Sequence, residues 1–189
     1  MKKLFFLAFT LMTSMIVASA QTSVQVGYLL NTQKLKEAGV KSSNSYSGFM
    51  AAVDYNLNLT GDLSVAPGLG LDYSFDNSDG DRYKELGLFV PVDFNYRFSV
   101  SDAVSLSAFA GPTLYYGLLS KDTSTDPAYN YYDTDNRRFE LELGGGLWCD
   151  IKETIRVKAA YKFGLLNISK IDDMTEKNNC LYLSVGYLF

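Results

Sequence analysis

The chain has 189 residues, of which 47% are apolar, 14% aromatic and 20% charged, with no histidine and a formal charge of −4 at pH 7. That length suits one domain, and no linker or low-complexity tract divides it. The acidic balance excludes the basic footprint of a nucleic-acid binder, and the lack of imidazole removes the commonest general base at neutral pH.

In chain order, Lys2 and Lys3 form a basic start, Leu4 to Val17 an uncharged apolar stretch, and Ala18, Ser19 and Ala20 a small-residue cleavage site before Gln21. About 14 residues fall short of the roughly 20 a membrane-crossing helix needs. Residues 1–20 therefore read as a cleaved signal peptide, and residues 21–189 as one exported domain. No cysteine stands at position 21 to accept a lipid anchor. Without Lys2 and Lys3 the remainder holds 15 basic residues against 21 acidic ones, a formal charge of −6.

From Asp62 onward the pattern has a period of two. Leu63, Val65, Leu69, Leu71, Tyr73 and Phe75 alternate with Asp62, Ser64, Ala66, Gly68, Gly70, Asp72 and Ser74. Leu86, Leu88, Val90, Val92, Phe94, Tyr96 and Phe98 repeat it against Glu85, Gly87, Asp93, Asn95 and Arg97. The same test gives eight strands, at about 22–30, 45–57, 62–75, 84–98, 103–117, 137–150, 154–168 and 179–189. Short turns at 58–61, 99–102 and 151–153 alternate with long polar loops at 31–44, 76–83, 118–136 and 169–178. Both ends of this array fall on the short-turn side. Pro67, Pro91 and Pro112 lack ladder donors, so bulges or interruptions are expected there.

Face composition separates a membrane barrel from a soluble carrier with an apolar interior. One face carries Asp54, Asp72, Glu85, Asp93, Arg97, Glu140, Glu142, Asp150, Arg156, Lys158 and Lys162 among Gly and Ser, a poor lining for an apolar pocket. The other is rich in Leu, Val, Phe and Tyr. Its aromatics gather near strand ends, where membrane interfaces favour them: Tyr28, Tyr46, Tyr55, Tyr73, Phe75, Phe94, Tyr96, Phe98, Tyr116, Phe139, Tyr161, Phe163 and Tyr187. The fold class is all-β, an eight-stranded antiparallel up-and-down transmembrane β-barrel.

The inward charges Glu140, Glu142, Asp150, Arg156, Lys158 and Lys162 form a lumen cluster. A sixth turn centred near Lys152 sets Glu142 close to Lys162 and Asp150 close to Arg156, with Trp148 on the same face. Glu140 and Glu142, two residues apart, can act as acid and base, but the reading adopted is that basic partners answer them and fill the narrow interior. Cys149 at the short-turn end and Cys180 at the long-loop end stand roughly 20 Å apart, beyond the roughly 7 Å a disulfide tolerates; both thiols are expected free. Residues 76–81 resemble a calcium loop but miss the glycine position and the closing glutamate, so no metal site is expected. The third loop carries Asp122, Asp126, Asp133 and Asp135 with Tyr129, Tyr131 and Tyr132, a surface suited to solvent, to cation-bridged lipopolysaccharide or to a protein partner.

Leu181, Leu183, Val185, Tyr187 and terminal Phe189 alternate and end on an aromatic, which resembles the C-terminal assembly signal of outer-membrane barrels. The domain resembles the small eight-stranded outer-membrane barrels, the OmpA transmembrane domain and OmpX among them. Residues 67–71 and 110–118 resemble more particularly the outer-membrane β-barrel domain proteins of Bacteroidetes-type bacteria. The resemblance implies residence in a Gram-negative outer membrane, contact with its lipid and lipopolysaccharide, and the barrel assembly machinery as a partner in biogenesis. It implies no cofactor and marks no catalytic residue; barrel-embedded hydrolases and transferases of this size lean on a histidine that is absent here. Two readings lead: a non-enzymatic structural or surface-interaction protein acting through its long loops, and a narrow pore for ions or small solutes. An enzyme using inward carboxylates and a soluble periplasmic carrier are the remaining alternatives.

Overall fold

In a computed structural model of the protein, residues 21–76, 83–122 and 129–189 are described. Alternating sequences give long strands: β1 (Gln21–Glu37), β2 (Val40–Thr60), β3 (Leu63–Asp76), β4 (Tyr83–Ser101), β5 (Val104–Asp122), the two-residue β6 (Tyr129–Asn130), β7 (Phe139–Ile151), β8 (Ile155–Gly164) and β9 (Met174–Leu188). One four-residue helix, α1 (Tyr131–Thr134), follows β6. Each long strand pairs antiparallel with its neighbour, β4 pairs with β5, and β1 with β9, so eight strands close a ring. Closure satisfies every strand's backbone groups without an open edge, the condition for crossing a bilayer with strands. Among the described residues no helix is long and apolar enough to cross one.

The two faces separate as the alternation requires. Ser23, Gln25, Asp54, Asp72, Glu85, Asp93, Glu142, Asp150 and Arg156 are buried inside, while Val26, Phe49, Leu69, Phe94, Leu147, Leu183 and Val185 are exposed outside. Aromatic girdles border the apolar band. At the long-loop end Phe49 packs with Tyr28 and Phe75 at centroid distances of 6.3 and 6.1 Å. At the short-turn end Tyr96 meets Phe98 at 4.8 Å and Tyr187 meets Phe189 at 4.9 Å. Tyr46, expected in the outer girdle, instead turns to the barrel mouth, where its hydroxyl donates to Gln33 Oε1 at 3.1 Å and its ring lies 4.5 Å from that of Tyr83.

Two expectations need correction. The long loop at 31–44 is a hairpin: pairing runs from Gln21↔Asn56 to Glu37↔Val40 across a tight turn at Ala38 and Gly39. Both turn residues have positive φ, 46° and 86°, as two-residue hairpins with right-twisted strands demand. Above the bilayer both faces meet water, so the ladder persists after its apolar alternation has faded. For the same reason β5 runs on to Asp122 and β9 begins at Met174, whereas β8 stops at Gly164. The prolines interrupt the ladders as expected, but without bulges: pairing lapses at Pro67 between Asp54↔Gly68 and Leu57↔Val65, at Pro91 between Pro67↔Val92 and Gly70↔Phe89, and at Pro112 between Pro91↔Thr113 and Phe94↔Ala110, each time resuming in the same register, while the register shifts lie at Asn58/Thr60, Leu86/Gly87 and Ser99/Ser101. Cys149 and Cys180 are both free, as expected.

Candidate functional site

The interior mixes charged and polar groups with a buried cluster that includes Leu29, Met50, Phe89, Phe109 and Trp148, and it divides into three levels. Nearest the short turns, β7 and β8 place Asp150 opposite Arg156. The guanidinium donates Nε to Oδ1 at 2.7 Å and Nη2 to Oδ2 at 2.9 Å, a bidentate pair, and its carbon sits 4.0 Å from the centroid of the Trp148 ring. Arg97 approaches the same carboxylate at 3.7 Å. Arg156 is 1% exposed and Trp148 2%, so this stack fills its level; Trp148 also lies 5.3 Å from Phe109.

One level up, Lys158 Nζ donates to Asp93 Oδ2 at 2.8 Å and reaches Asp54 Oδ2 at 3.5 Å. Gln25 Nε2 donates to Asp54 Oδ2 as well, and Ser184 Oγ donates to Gln25 Oε1 at 2.7 Å. Lys158 thus has two carboxylates and Asp150 two cations, a balanced lower half. A cavity of about 20 Å³ beside Asp54, Lys158 and Lys162 leaves room for about one water.

The upper half is different. Lys162 was expected to face Glu142, but it donates to Thr113 Oγ1 at 2.7 Å, between the rings of Phe89 and Tyr182. The hairpin centres on Glu153, not Lys152, and a one-residue move of the centre displaces every cross-strand partner by two. Glu142 therefore pairs with Gly164, and Lys162 with Gly144. Glu142 Oε2, buried, has no hydrogen-bond partner. Glu140 is answered by an amide: the Asn178 side chain donates to Oε2 at 3.1 Å, and its backbone N–H to Oε1 at 3.4 Å. Tyrosines serve the rest. Tyr115 donates to Asp72 at 3.2 Å and to Glu85 at 3.4 Å, Tyr83 to Glu85 at 3.0 Å, and Tyr132 to Glu85. Among the described residues no three of these acids converge as metal ligands would.

Tyr132 is the residue that sequence reasoning placed on the surface and the fold turns inward. It belongs to α1, which bends into the extracellular mouth, leaving Tyr132 6% exposed. A Cβ on Gly117 would stand 2.0 Å from the Tyr132 ring, so the bare glycine makes the space for it. Burial, with the Glu85 carboxylate beside it, pushes the Tyr132 phenol well above its usual range, so it remains a donor. Lys170 Nζ donates to Tyr132 O at 2.9 Å, and Arg137 N to Ile168 O at 2.7 Å, tying α1 to the segment after β8. Asp133 pairs with Arg138 at 3.1 Å. The calcium-like stretch 77–81 and Asp126 lie outside the described residues, as do residues 1–20.

A closed eight-stranded ring, apolar outside, charged within and girdled by aromatics at both rims, defines an integral β-barrel of the bacterial outer membrane. The chain belongs to the outer membrane protein beta-barrel domain family, whose profile matches residues 4–189. No curated protein matches it by sequence. Among solved structures, Ail, the attachment invasion locus protein of Yersinia pestis, is similar over 91% of this chain and 100% of its own, with a TM-score of 0.53 at 21% identity. Neisserial surface protein A gives 0.52 at 14% identity over 91% and 100%. The outer membrane enzyme PagL gives 0.50 at 11% identity over 87% and 97%. These similarities are of fold.

Proposed function

We propose that the protein is a non-enzymatic outer-membrane barrel, closed along its axis, with a structural or surface-contact role carried by its extracellular segments. The observation that supports this most is the unbroken interior filling, from the Arg156–Trp148 stack through Lys158 and Lys162 to Tyr132 at the mouth. The extracellular hairpin of β1 and β2 and the cap around α1 are then the parts available for contact with lipid, lipopolysaccharide or a protein partner. The attachment role in the Yersinia protein's name fits such a use. The absence of histidine from the sequence, and carboxylates held by Tyr and Asn donors, favour a non-catalytic interior over the enzymatic use of the fold represented by PagL.

In the same reading residues 1–20 are a cleaved export signal, and Tyr187 with Phe189 is the segment the assembly machinery reads. Phe189 is 72% exposed and its N–H donates to Thr22 O at 2.9 Å, so its side chain remains presentable after the ring has closed.

A second reading, a narrow cation-selective pore, is favoured by one observation: Asp72, Glu85, Glu140 and Glu142 share the upper lumen with Lys162 as cation, and Glu142 Oε2 is unpartnered. Single-channel recording of the refolded protein in planar bilayers separates the two. The closed barrel gives silence in both wild type and Lys162→Ala. Steady cation-selective steps, altered by that substitution, would replace it with the pore.

A further inference from the structure

Outside the lumen, at the extracellular rim, the register brings like charges face to face. Lys36 of β1 is directly opposite Lys41 of β2, and Lys34 of β1 is directly opposite Lys177 of β9. Like charges in opposite positions on neighbouring strands repel and destabilise a sheet. All four side chains continue the outward parity of Tyr28, Phe49, Leu181 and Leu183, and among the described residues none is ion-paired. The acids of this edge do not relieve them, because Glu37 and Glu176 alternate to the other face. Together the lysines border a groove of about 700 Å³ whose floor includes Tyr161 and Phe163 of β8.

The height of the cluster identifies what neutralises it. Lys34 stands four residues above Leu30 and Lys177 four above Leu181. At about 3.3 Å per residue and about 40° of tilt, that is roughly 10 Å beyond the apolar band, the level of headgroups. Four ammonium groups without a carboxylate partner, one of which, Lys177, donates to Leu165 O at 2.9 Å, stand above two lipid-facing aromatic rings and form a recess suited to a ligand that is anionic at its top and apolar below. We propose that this groove binds a phosphorylated glycolipid of the outer leaflet, its phosphate among Lys34, Lys36, Lys41 and Lys177 and its acyl chains against Tyr161 and Phe163. The inference deepens the lipid-contact part of the proposed function and is independent of whether the lumen conducts.

The test is urea unfolding of the refolded protein in neutral phosphatidylcholine vesicles containing increasing amounts of bisphosphorylated lipid A, since a ligand of the folded state alone raises the midpoint in proportion to its occupancy. Wild type is expected to gain stability saturably, and Lys34→Gln/Lys177→Gln to need at least tenfold more lipid A for the same gain. In vesicles without lipid A that variant is expected to unfold at the same or a higher urea concentration, because a repulsive pair has gone. Lys36→Gln/Lys41→Gln, at the hairpin tip away from the membrane band, gives an independent variant should the first fail to fold. No gain for wild type, an equal gain for both variants, or an equal gain with dephosphorylated lipid A would overturn the proposal. So would saturable binding of a soluble sulfated polysaccharide in place of lipid A, which would make the lysines a site for extracellular polyanions.

Discussion

Arg156 and Glu142 lie on the same inner wall and have opposite situations. Arg156 is held by two bonds to Asp150 and stacked on Trp148, whereas Glu142 carries an oxygen with no partner. Removing one member of a buried pair leaves the other charge uncompensated and costs about 3–5 kcal/mol. Arg156→Met is expected at the low end, about 3 kcal/mol, because Arg97 remains 3.7 Å from Asp150. Glu142→Gln forfeits no bond and is expected to change stability by less than about 1 kcal/mol. Urea unfolding in vesicles compares the two, and an equal loss for both would contradict the division of the lumen into a paired lower half and an acid-rich upper half. At this scale the sequence was partly legible. Parity assigned Glu140, Glu142, Asp150, Arg156, Lys158 and Lys162 to the inside, because the side-chain period of a strand is two whatever its partner. Partner rows depend on the turn centre, and one residue there exchanged Lys162 for Gly164 opposite Glu142.

Turns and the mouth segment were the least legible elements. Residues 31–44 carry no apolar alternation, so nothing in them distinguishes a solvated ladder from a solvated loop. Tyr132 sits in an acidic, tyrosine-bearing loop whose composition does not tell an outward ring from an inward one; the signal that existed was the glycine at 117. Gly117→Ala is therefore expected to expel the Tyr132 ring from its place above Glu85 and unfasten α1. The measurement is amide hydrogen exchange at Asp135 and Asn136, whose N–H groups bond to Tyr131 O, with acceleration expected there and little change in β2 or β3. In the β7–β8 turn, Lys152 and Glu153 both adopt φ of 52°, a conformation costing an L-residue about 1 kcal/mol or more. Glu153→Gly is expected to raise the unfolding free energy by about 1 kcal/mol, read from the same urea curves.

For the whole molecule, strand number, alternation of faces and outer-membrane location were legible because they rest on one repeated constraint, a chain with lipid on one side and a polar interior on the other. The same constraint bears on biogenesis. Mass spectrometry of the protein from outer membranes is expected to give a chain starting at Gln21; a start at Met1 would make residues 1–20 something other than an export signal. Deleting Phe189 is expected to lower the amount assembled in cells several-fold while the refolded protein keeps its urea midpoint, separating recognition during assembly from stability.

The seam between β1 and β9 carries a further consequence, and it concerns time. Fifteen residue pairs, from Ser23↔Leu188 to Glu37↔Met174, join strands at opposite ends of the sequence. The ring cannot close while β9 is still being delivered, and until it does β1 presents a long unpaired edge. Contacts so distant along the chain are slow to form and leave the incomplete sheet open to wrong partners. Closure is therefore the last step of folding, and until it is reached the β1 edge has to be kept from other strands.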